Sequence, residues 1–325
     1  MIAKILKIII VSFLLYLAIL TFQFFLLRLA FPDPTVIYLR EGLTPEAREI
    51  IKRSFGLDKP LYIQYFLYIS NFLRGDMGYS FLYKTPVRDI IVDRLLNSLI
   101  LILPAILVAY VAGRYLGSYI AIKRGSMIEK ISVSILSFTN SLPLFWVGML
   151  AIIVFSVNLG LTPIGGMRTP PYEAKNFLEK IASLDFLHHW ILPFTVLTIY
   201  YMVSPTFLMR SSVINALEED FVSVMRAVGF QERKILREVS RYSMIPLVTQ
   251  MGVTLGLSFA GSVAFETIFS WPGIGRELII AFNNLDFPLI QGVFAVMSLA
   301  VIAINSIIDL LYSILDPRTR SGRSI

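Results

Sequence analysis

The sequence predicts an all-α polytopic membrane protein with six transmembrane helices. Of its 325 residues, 56% are hydrophobic and only 16% are charged, whereas soluble domains carry about 25% charged residues. The apolar residues gather in blocks long enough to cross a bilayer, for which an α-helix needs about 20 residues. The basic residues that give the net charge of +7 lie beside these blocks. This distribution indicates orientation in a lipid bilayer and argues against a nucleic-acid partner.

Six apolar runs define the predicted spans and divide the chain into three parts. The first run follows Lys4 and Lys7, is longer than a signal-peptide core and has no small-residue cleavage site, so we expect it to be retained. The predicted parts are a first transmembrane helix at 1–30, an external segment at 31–97 and a five-helix core at 98–325. The spans are expected at residues 8–29, 98–122, 131–159, 190–209, 247–269 and 289–315.

Basic residues predict which side of the membrane each connection faces. Lys4 and Lys7 precede the first span, and the connection at 123–130 carries three basic residues. Six more lie at 210–246, and the tail after the last span has Arg318, Arg320 and Arg323. With six spans, all these segments fall on one side, which the positive-inside rule assigns to the cytoplasm. Both termini are therefore predicted to be cytoplasmic.

The two longer connections on the opposite side are predicted to contain helices. Segment 31–97 is too polar to span a bilayer, and we expect a mainly helical external subdomain on the membrane surface. Thr44 is a candidate helix cap followed by Pro45, and residues 62–73 are amphipathic and aromatic. The connection at 160–189 begins with turn-forming prolines and glycines, and a short helix is expected near 174–182.

The longest polar run in the second half of the chain, residues 210–246, has the pattern helix, glycine, helix. Gly229 is predicted to end the first helix, and a second, amphipathic helix is expected at 231–241. A helical hairpin between two spans suits the docking of a partner, whereas a solvated linker would not need an apolar stripe. The stripe of the first helix is Val213, Leu217, Phe221, Val224 and Val228, and that of the second is Ile235, Leu236 and Val239.

The sequence offers no catalytic, cofactor-binding or metal-binding set. It has no cysteine, no GxxxxGK[ST] phosphate loop and no HExxH motif. Its two histidines, His188 and His189, stand beside Trp190 at a predicted membrane edge, where an interfacial role fits better than a metal site. We therefore expect no enzyme activity in this chain, and energy for any active process must come from elsewhere.

Polar residues inside the predicted spans are candidates for the solute pathway. Asn140, Ser141 and Pro143 interrupt the third span, where they would either line a pathway or merely bend the helix. Arg114 and Asp309 lie nearer one face, where Arg114 could snorkel, and a pair between them is a further hypothesis. The small-residue pairs Gly113/Gly117 and Gly252/Gly256 are predicted to let helices approach closely.

Several motifs carry a resemblance to a known family. The most specific is Glu266-Thr-Ile-Phe-Ser-Trp-Pro-Gly-Ile-Gly275, and supporting runs occur at 56–65, 75–78, 123–126 and 315–318. Together they resemble the inner-membrane permease subunits of prokaryotic binding-protein-dependent ABC importers, most closely the dipeptide/oligopeptide branch. The resemblance implies a multi-pass cell-membrane protein that forms half of a translocation pathway for peptides, with oligosaccharides or another solute as the alternative. The partners it implies are a second permease subunit in a heterodimer, two ATP-binding subunits and an external solute-binding protein.

The resemblance also implies two contact sites. In this family the hairpin is the coupling helix, which docks in a groove of an ATPase subunit. Its motif is EAA, three residues, then glycine; Gly229 fits, but Ser223, Val224 and Met225 replace the acidic residue and both alanines. With them, Phe221 and Arg226 are the expected coupling residues. The external loop after the fifth span is expected to contact the binding protein or to form only a tight turn, through Trp271, Pro272, Gly273, Arg276 and Glu277.

Two other classes of protein compete with a permease subunit. A stand-alone secondary transporter would favour an internal repeat and titratable groups at mid-membrane. An intramembrane enzyme would need a nucleophile, a carboxylate pair or a metal set within the spans, and the predicted spans hold no cysteine, no histidine and a single deep carboxylate. Co-purification with an ATPase would separate the permease subunit from both.

Overall fold

The computed structural model describes residues 2–30, 58–171 and 177–315, and these are helical almost throughout. A π-helical segment, Ile152–Asn158, directly continues α5. The α-helices are α1 Ile2–Ala30, α2 Leu61–Leu73, α3 Val87–Ile122, α4 Met127–Ser141, α5 Leu144–Ala151, α6 Phe177–Ile181, α7 Leu184–Leu217, α8 Asp220–Ala227, α9 Glu232–Tyr242, α10 Ile245–Ile268, α11 Ile274–Asn283 and α12 Phe287–Leu315.

Helices α1, α3, α7 and α12 are each long and apolar enough to cross a membrane. Two bent pairs raise the number of candidate spans among the described residues from 4 to 6. In one pair α4 meets the α5 and π segment at 102°, and in the other α10 bends by 59° between Ile245–Ser258 and Gly261–Ile268. The prediction of an all-α polytopic membrane protein is confirmed. The spanning helices α3 and α7 begin earlier than predicted.

By internal contacts the chain divides into two compact units. Of the described residues, unit 1 comprises 2–30, 58–97 and 272–311, and unit 2 comprises 98–171, 177–271 and 312–315. In unit 1, α2 packs against α1 through aromatic rings, and the Tyr65 hydroxyl lies 2.8 Å from the hydroxyl of Thr21. Helix α1 also reaches α12, because the Gln23 side-chain amide donates to the Gln291 carbonyl at 2.7 Å.

Unit 2 holds two large apolar clusters. One gathers side chains from α3, α7 and α10 with Trp271, and the other joins α3 and α7 to α8, α9 and α10. The predicted small-residue pair Gly113/Gly117 lies where α3 crosses α7, and a Cβ at Gly117 would stand only 2.5 Å from the Thr206 carbonyl oxygen. Glycine at this position therefore permits the close approach of the two helices.

Some sequence predictions fall outside the described residues. These are the Thr44–Pro45 cap, the side chain of Asp309 and the first part of the predicted 174–182 helix, whose described portion is α6. Two other predictions concern described residues. For Arg114, the guanidinium lies over the ring of Tyr115 at 5.4 Å.

The helix expected around residues 62–73 is confirmed as α2.

Candidate functional site

Helices α8 and α9 form a short hairpin, residues 220–242, that follows α7 after a turn of two residues. Its buried face carries side chains with no exposed surface, Val222 from α8 and Ile235 and Val239 from α9. This face packs against the ends of α3 and α7 in one apolar cluster, so the hairpin and these helices share a core. The cluster includes Ala121, Met209, Val213, Ala216, Val222, Ile235 and Val239.

The first half of the hairpin differs from its prediction. We expected one helix with an apolar stripe from Val213 to Val228, but α7 ends at Leu217 and α8 begins only at Asp220. The intervening turn resets the helical phase, so Val222 faces the core while Val224 and Val228 are 60% and 70% exposed. The predicted single stripe is therefore wrong, and its last two members form an outward apolar face.

The turn after α8 is confirmed as a glycine turn. Gly229 has a φ of +86°, in the left-handed region that glycine adopts without strain. Its N–H donates to the Arg226 carbonyl and the N–H of Phe230 donates to the Met225 carbonyl, both at 3.0 Å. These two bonds are the pair that defines a Schellman motif at a helix C-terminus.

The predicted coupling residues divide between the two faces of α8. Ser223, Val224 and Arg226 are exposed, whereas Phe221 and Met225 are partly buried against the apolar cluster. The Arg226 Nε donates to the Glu232 carboxylate at 2.9 Å, and both side chains are at least half exposed. Arg226 thus has an acidic partner within the hairpin itself.

The candidate pathway residues stand at the break between α4 and α5. Asn140, Ser141 and Pro143 are exposed, and the Ser141 hydroxyl donates to the Phe138 carbonyl at 2.7 Å. Leu142 is extended, with φ −90° and ψ 138°, as expected for a residue that precedes proline. The bend at Pro143 is confirmed, and its exposed polar groups are compatible with a pathway.

In unit 2, the predicted external loop begins at a fully buried side chain. Trp271 has no exposed surface, and its ring lies 6.2 Å from that of Phe186 in the core. The Trp271 N–H donates to the Glu266 carbonyl at 2.8 Å. The indole of Trp271 therefore packs inside its own unit, away from the surface.

In unit 1, residues 274–283 are helical, which the sequence reading of a loop did not foresee. Glu277 is 2% exposed and accepts from the Arg94 Nε at 2.8 Å. Burial first, and then the hydrogen bond to Glu277, raise the pKa of the Tyr83 phenol above its ordinary value. Gly273 is also buried, whereas Pro272 and Arg276 are half-buried.

Asp286 is a second buried carboxylate in unit 1. One of its oxygens accepts from the Ser80 hydroxyl at 2.5 Å and from the Leu82 N–H at 3.0 Å. The other oxygen accepts from the Leu289 N–H at 3.2 Å and so caps the start of α12. Asp286 thereby ties the turn that precedes α3 to α12.

A family model matches most of this chain. The model is described as the binding-protein-dependent transport system inner membrane component, and it matches residues 109–321. The chain belongs to this family. The model of the corresponding N-terminal region, described as the binding-protein-dependent transport system membrane component, N-term, matches residues 1–102.

Characterised relatives extend along nearly the whole chain. The dipeptide transport system permease protein DppB of Escherichia coli is 34% identical over 310 residues, covering 89% of this chain and 90% of that protein. The oligopeptide transport system permease protein AppB of Bacillus subtilis is 33% identical over 299 residues, covering 91% and 92%. The glutathione transport system permease protein GsiC of Escherichia coli is 33% identical over 289 residues, covering 89% of each.

As an inner membrane component of this family, the chain is a multi-pass membrane protein and a component of a transport system. Sequence reasoning gave no structural role to two carboxylates in unit 2, Glu129 and Glu266, the second of which it named only as part of a family motif. Glu266 has no exposed surface and accepts from the Ser98 hydroxyl at 2.6 Å. Glu129 accepts from the Arg210 guanidinium. The spacing Ser126-x-x-Glu129, which is typical of a helix capping box, was the signal that would have singled out Glu129.

Proposed function

We propose that this inner membrane component forms half of the translocation pathway of an ABC importer for peptides. The observation that carries the proposal is the identity of 33–34%, over 89–91% of the chain, to permease proteins named for dipeptides, oligopeptides and glutathione. A second, different permease subunit completes the pathway, and an external binding protein delivers the peptide. Two ATP-binding subunits supply the energy, since this sequence has no phosphate-binding loop of its own.

The hairpin is the proposed contact with the ATP-binding subunit. The outward face of α8 presents Val224 and, at the C-cap, Val228 beside Ser223 and Arg226. An apolar helix face of this kind suits a groove on a partner. Because the opposite face of the hairpin is packed on α3 and α7, a displacement of the hairpin by the partner moves both helices.

The break between α4 and α5 is the proposed pathway lining of this subunit. Exposed polar side chains at membrane depth face a wet path or another subunit, because lipid cannot satisfy their hydrogen bonds. Asn140 meets this description, Ser141 lies beside it with its hydroxyl bonded to the Phe138 carbonyl, and Pro143 provides the bend that presents both.

The external contact with the binding protein is proposed for Pro272 and Arg276. Of the five residues predicted for that role, these two keep exposed surface, whereas Trp271, Gly273 and Glu277 are buried. The ion pair of Glu277 with Arg94 gives this carboxylate a role in holding α11 within its own unit.

One reconstitution tests the proposed function. The chain is placed in proteoliposomes with its second permease subunit, both ATP-binding subunits and the binding protein, and uptake of labelled di- and oligopeptides is measured beside a panel of oligosaccharides. We expect peptide uptake that requires ATP and every partner, and Arg276→Ala should weaken stimulation by loaded binding protein. Uptake of sugars alone would overturn the peptide assignment, and uptake without ATP-binding subunits would overturn the importer assignment.

We further propose that both termini and the hairpin are cytoplasmic, because the basic residues of the sequence favour this orientation. The chain has no cysteine, so single cysteines can be introduced for labelling. Tyr62→Cys, at a position 65% exposed on α2, should react with a membrane-impermeant thiol reagent in intact cells. Ser223→Cys should react only after the membrane is opened, and the reverse result would invert the topology.

A further inference from the structure

The start of α4 is held by a variant of the capping box, in which the acidic side chain reaches the N–H of the residue before the N-cap Ser126 and leaves one carboxylate oxygen for another partner. The Ser126 hydroxyl accepts from the Glu129 N–H at 3.3 Å. Glu129 reaches back with one carboxylate oxygen, Oε2, to accept from the Gly125 N–H at 2.5 Å. The capping role needs only this one acceptor, and glutamine serves it as well as glutamate does.

The second oxygen of Glu129 binds an arginine from another helix. Glu129 Oε1 accepts from both the Nε of Arg210, at 2.9 Å, and its Nη2. The side chains are 9% and 31% exposed, so this pair is better shielded from water than the ion pair of Arg124 and Glu218 nearby, which are 64% and 72% exposed. Charge-assisted bonds from two guanidinium nitrogens also fix the geometry of a pair more tightly than a single contact does.

Arg210 belongs to the part of α7 that carries the hairpin. It lies between Met209 and Val213, and both of these pack in the same apolar cluster as the buried side chains of α8 and α9. The hairpin follows α7 after a turn of two residues, Glu218 and Glu219. A displacement of the hairpin therefore also displaces Arg210, because α7 connects the two along the chain and the apolar cluster connects them through packing.

Glu129 stands at the opposite end of α4 from the proposed pathway residues. Helix α4 ends at Ser141, next to the break at Leu142 and Pro143. The orientation of α4 at Glu129 thus sets where Asn140 and Ser141 lie. Apolar contacts of α4, such as Leu136 against Val203, hold it to α7 but do not fix its direction as an ion pair at its first turn does.

We propose that Glu129 and Arg210 are a positioning pair that passes displacement of the hairpin to α4 and to the break at its far end. The inference rests on the proposed function of the hairpin, and it adds a physical connection between the hairpin and the proposed pathway residues at the end of α4. Glu129 then has two separable roles. One carboxylate oxygen caps α4, and the other binds Arg210 and so joins α4 to α7, the helix that precedes the hairpin.

The test separates these two tasks in the reconstituted importer. Glu129→Gln keeps the cap and removes the charge, whereas Ser126→Ala removes the capping hydroxyl and keeps the ion pair. We measure ATP hydrolysed per peptide imported, together with assembly of the complex. Glu129→Gln should raise that ratio about fivefold with normal assembly, a typical size for a coupling between sites. Arg210→Gln should do the same, and the double variant should be no worse than either single variant.

The matched controls are Ser126→Ala and Arg124→Gln, which should stay close to the wild-type ratio. An unchanged ratio in Glu129→Gln, or equal damage in Ser126→Ala, overturns the positioning pair. Gly229→Val, measured beside them, reports on the hairpin. A normal ratio in Gly229→Val and Glu129→Gln together overturns the proposed coupling role and the pair with it. A raised ratio in Glu129→Gln with a normal ratio in Gly229→Val overturns the route from the hairpin through the pair, because the pair would then act without displacement of the hairpin.

Discussion

Gly229→Val should reduce peptide uptake about tenfold at unchanged abundance in the membrane, while ATP hydrolysis by the assembled importer continues. A left-handed conformation costs a residue other than glycine about 1–2 kcal/mol, and valine lies at the upper end because of its β-branch. An energy of about 1.4 kcal/mol changes a population tenfold. The strained turn therefore leaves α8 in its docking orientation in a small fraction of molecules.

The surroundings of Gly229 make this variant a clean probe. A Cβ at Gly229 would meet no atom within 4 Å, so the substitution introduces backbone strain without a steric clash. The turn is exposed and lies outside the spans, since α7 ends at Leu217 and α10 begins at Ile245, so the spans should insert normally. Loss of uptake through misfolding is therefore not expected, and the defect should be confined to the coupling of hydrolysis to transport.

A graded series controls for the cause. Gly229→Asn should retain most of the uptake, because asparagine tolerates the left-handed region, and Gly229→Ala should fall between asparagine and valine. Uptake and ATP hydrolysis are measured in the same proteoliposomes at matched protein amounts. If valine and asparagine behave alike, backbone strain is not the cause, and wild-type uptake by Gly229→Val would show that this hairpin does not couple the two processes.

The hairpin also shows which part of a site a sequence can predict. Its glycine turn was predictable because a left-handed C-terminal residue is a local property of the chain, set by the residue type at Gly229. Its outward face was not, because the two-residue turn at Glu218 and Glu219 changes which side of α8 meets the core. An apolar stripe that is continued through such a turn assigns residues of α8 to the wrong face. The stripe predicted that Val224 is buried, but Val222 is buried and Val224 is exposed.

The external loop shows that contacts between residues far apart in the sequence could not be predicted either. The partner of Glu277 is Arg94, which lies 183 positions earlier, and that of Glu129 is Arg210, which lies 81 positions later. No periodicity or motif links such pairs, so composition alone made Glu277 look like a surface contact. The order of the membrane spans, in contrast, was predicted well, because each span is a property of one continuous apolar run, and the predicted six is the upper end of the 4 to 6 candidate spans among the described residues.

The close crossing of α3 and α7 at Gly117 leads to the prediction with the largest effect on stability. A Cβ at Gly117 would lie 2.5 Å from the Thr206 carbonyl oxygen, 2.8 Å from the Met209 Cβ and 3.1 Å from the Arg210 backbone nitrogen. Two of these three atoms belong to backbone, which cannot move aside as a flexible side chain does. Gly117→Ala must therefore push the two helices apart along their contact.

We expect Gly117→Ala to cost about 3 kcal/mol, the upper end for overpacking, since the gain of about 1 kcal/mol in helix propensity offsets only part of the clash. Its unfolding midpoint in detergent, followed by size-exclusion chromatography after heating, should fall by about 5–10 °C. Gly113→Ala should cost less, because its nearest contact would be 3.0 Å from the Pro205 side chain. Val111→Ala, at a position 59% exposed on the same helix, should change the midpoint little. Equal midpoints for Gly117→Ala and Val111→Ala would mean that α3 and α7 do not meet closely at Gly117. The arrangement of α3 and α7 in the apolar cluster that they share with the hairpin would then be wrong.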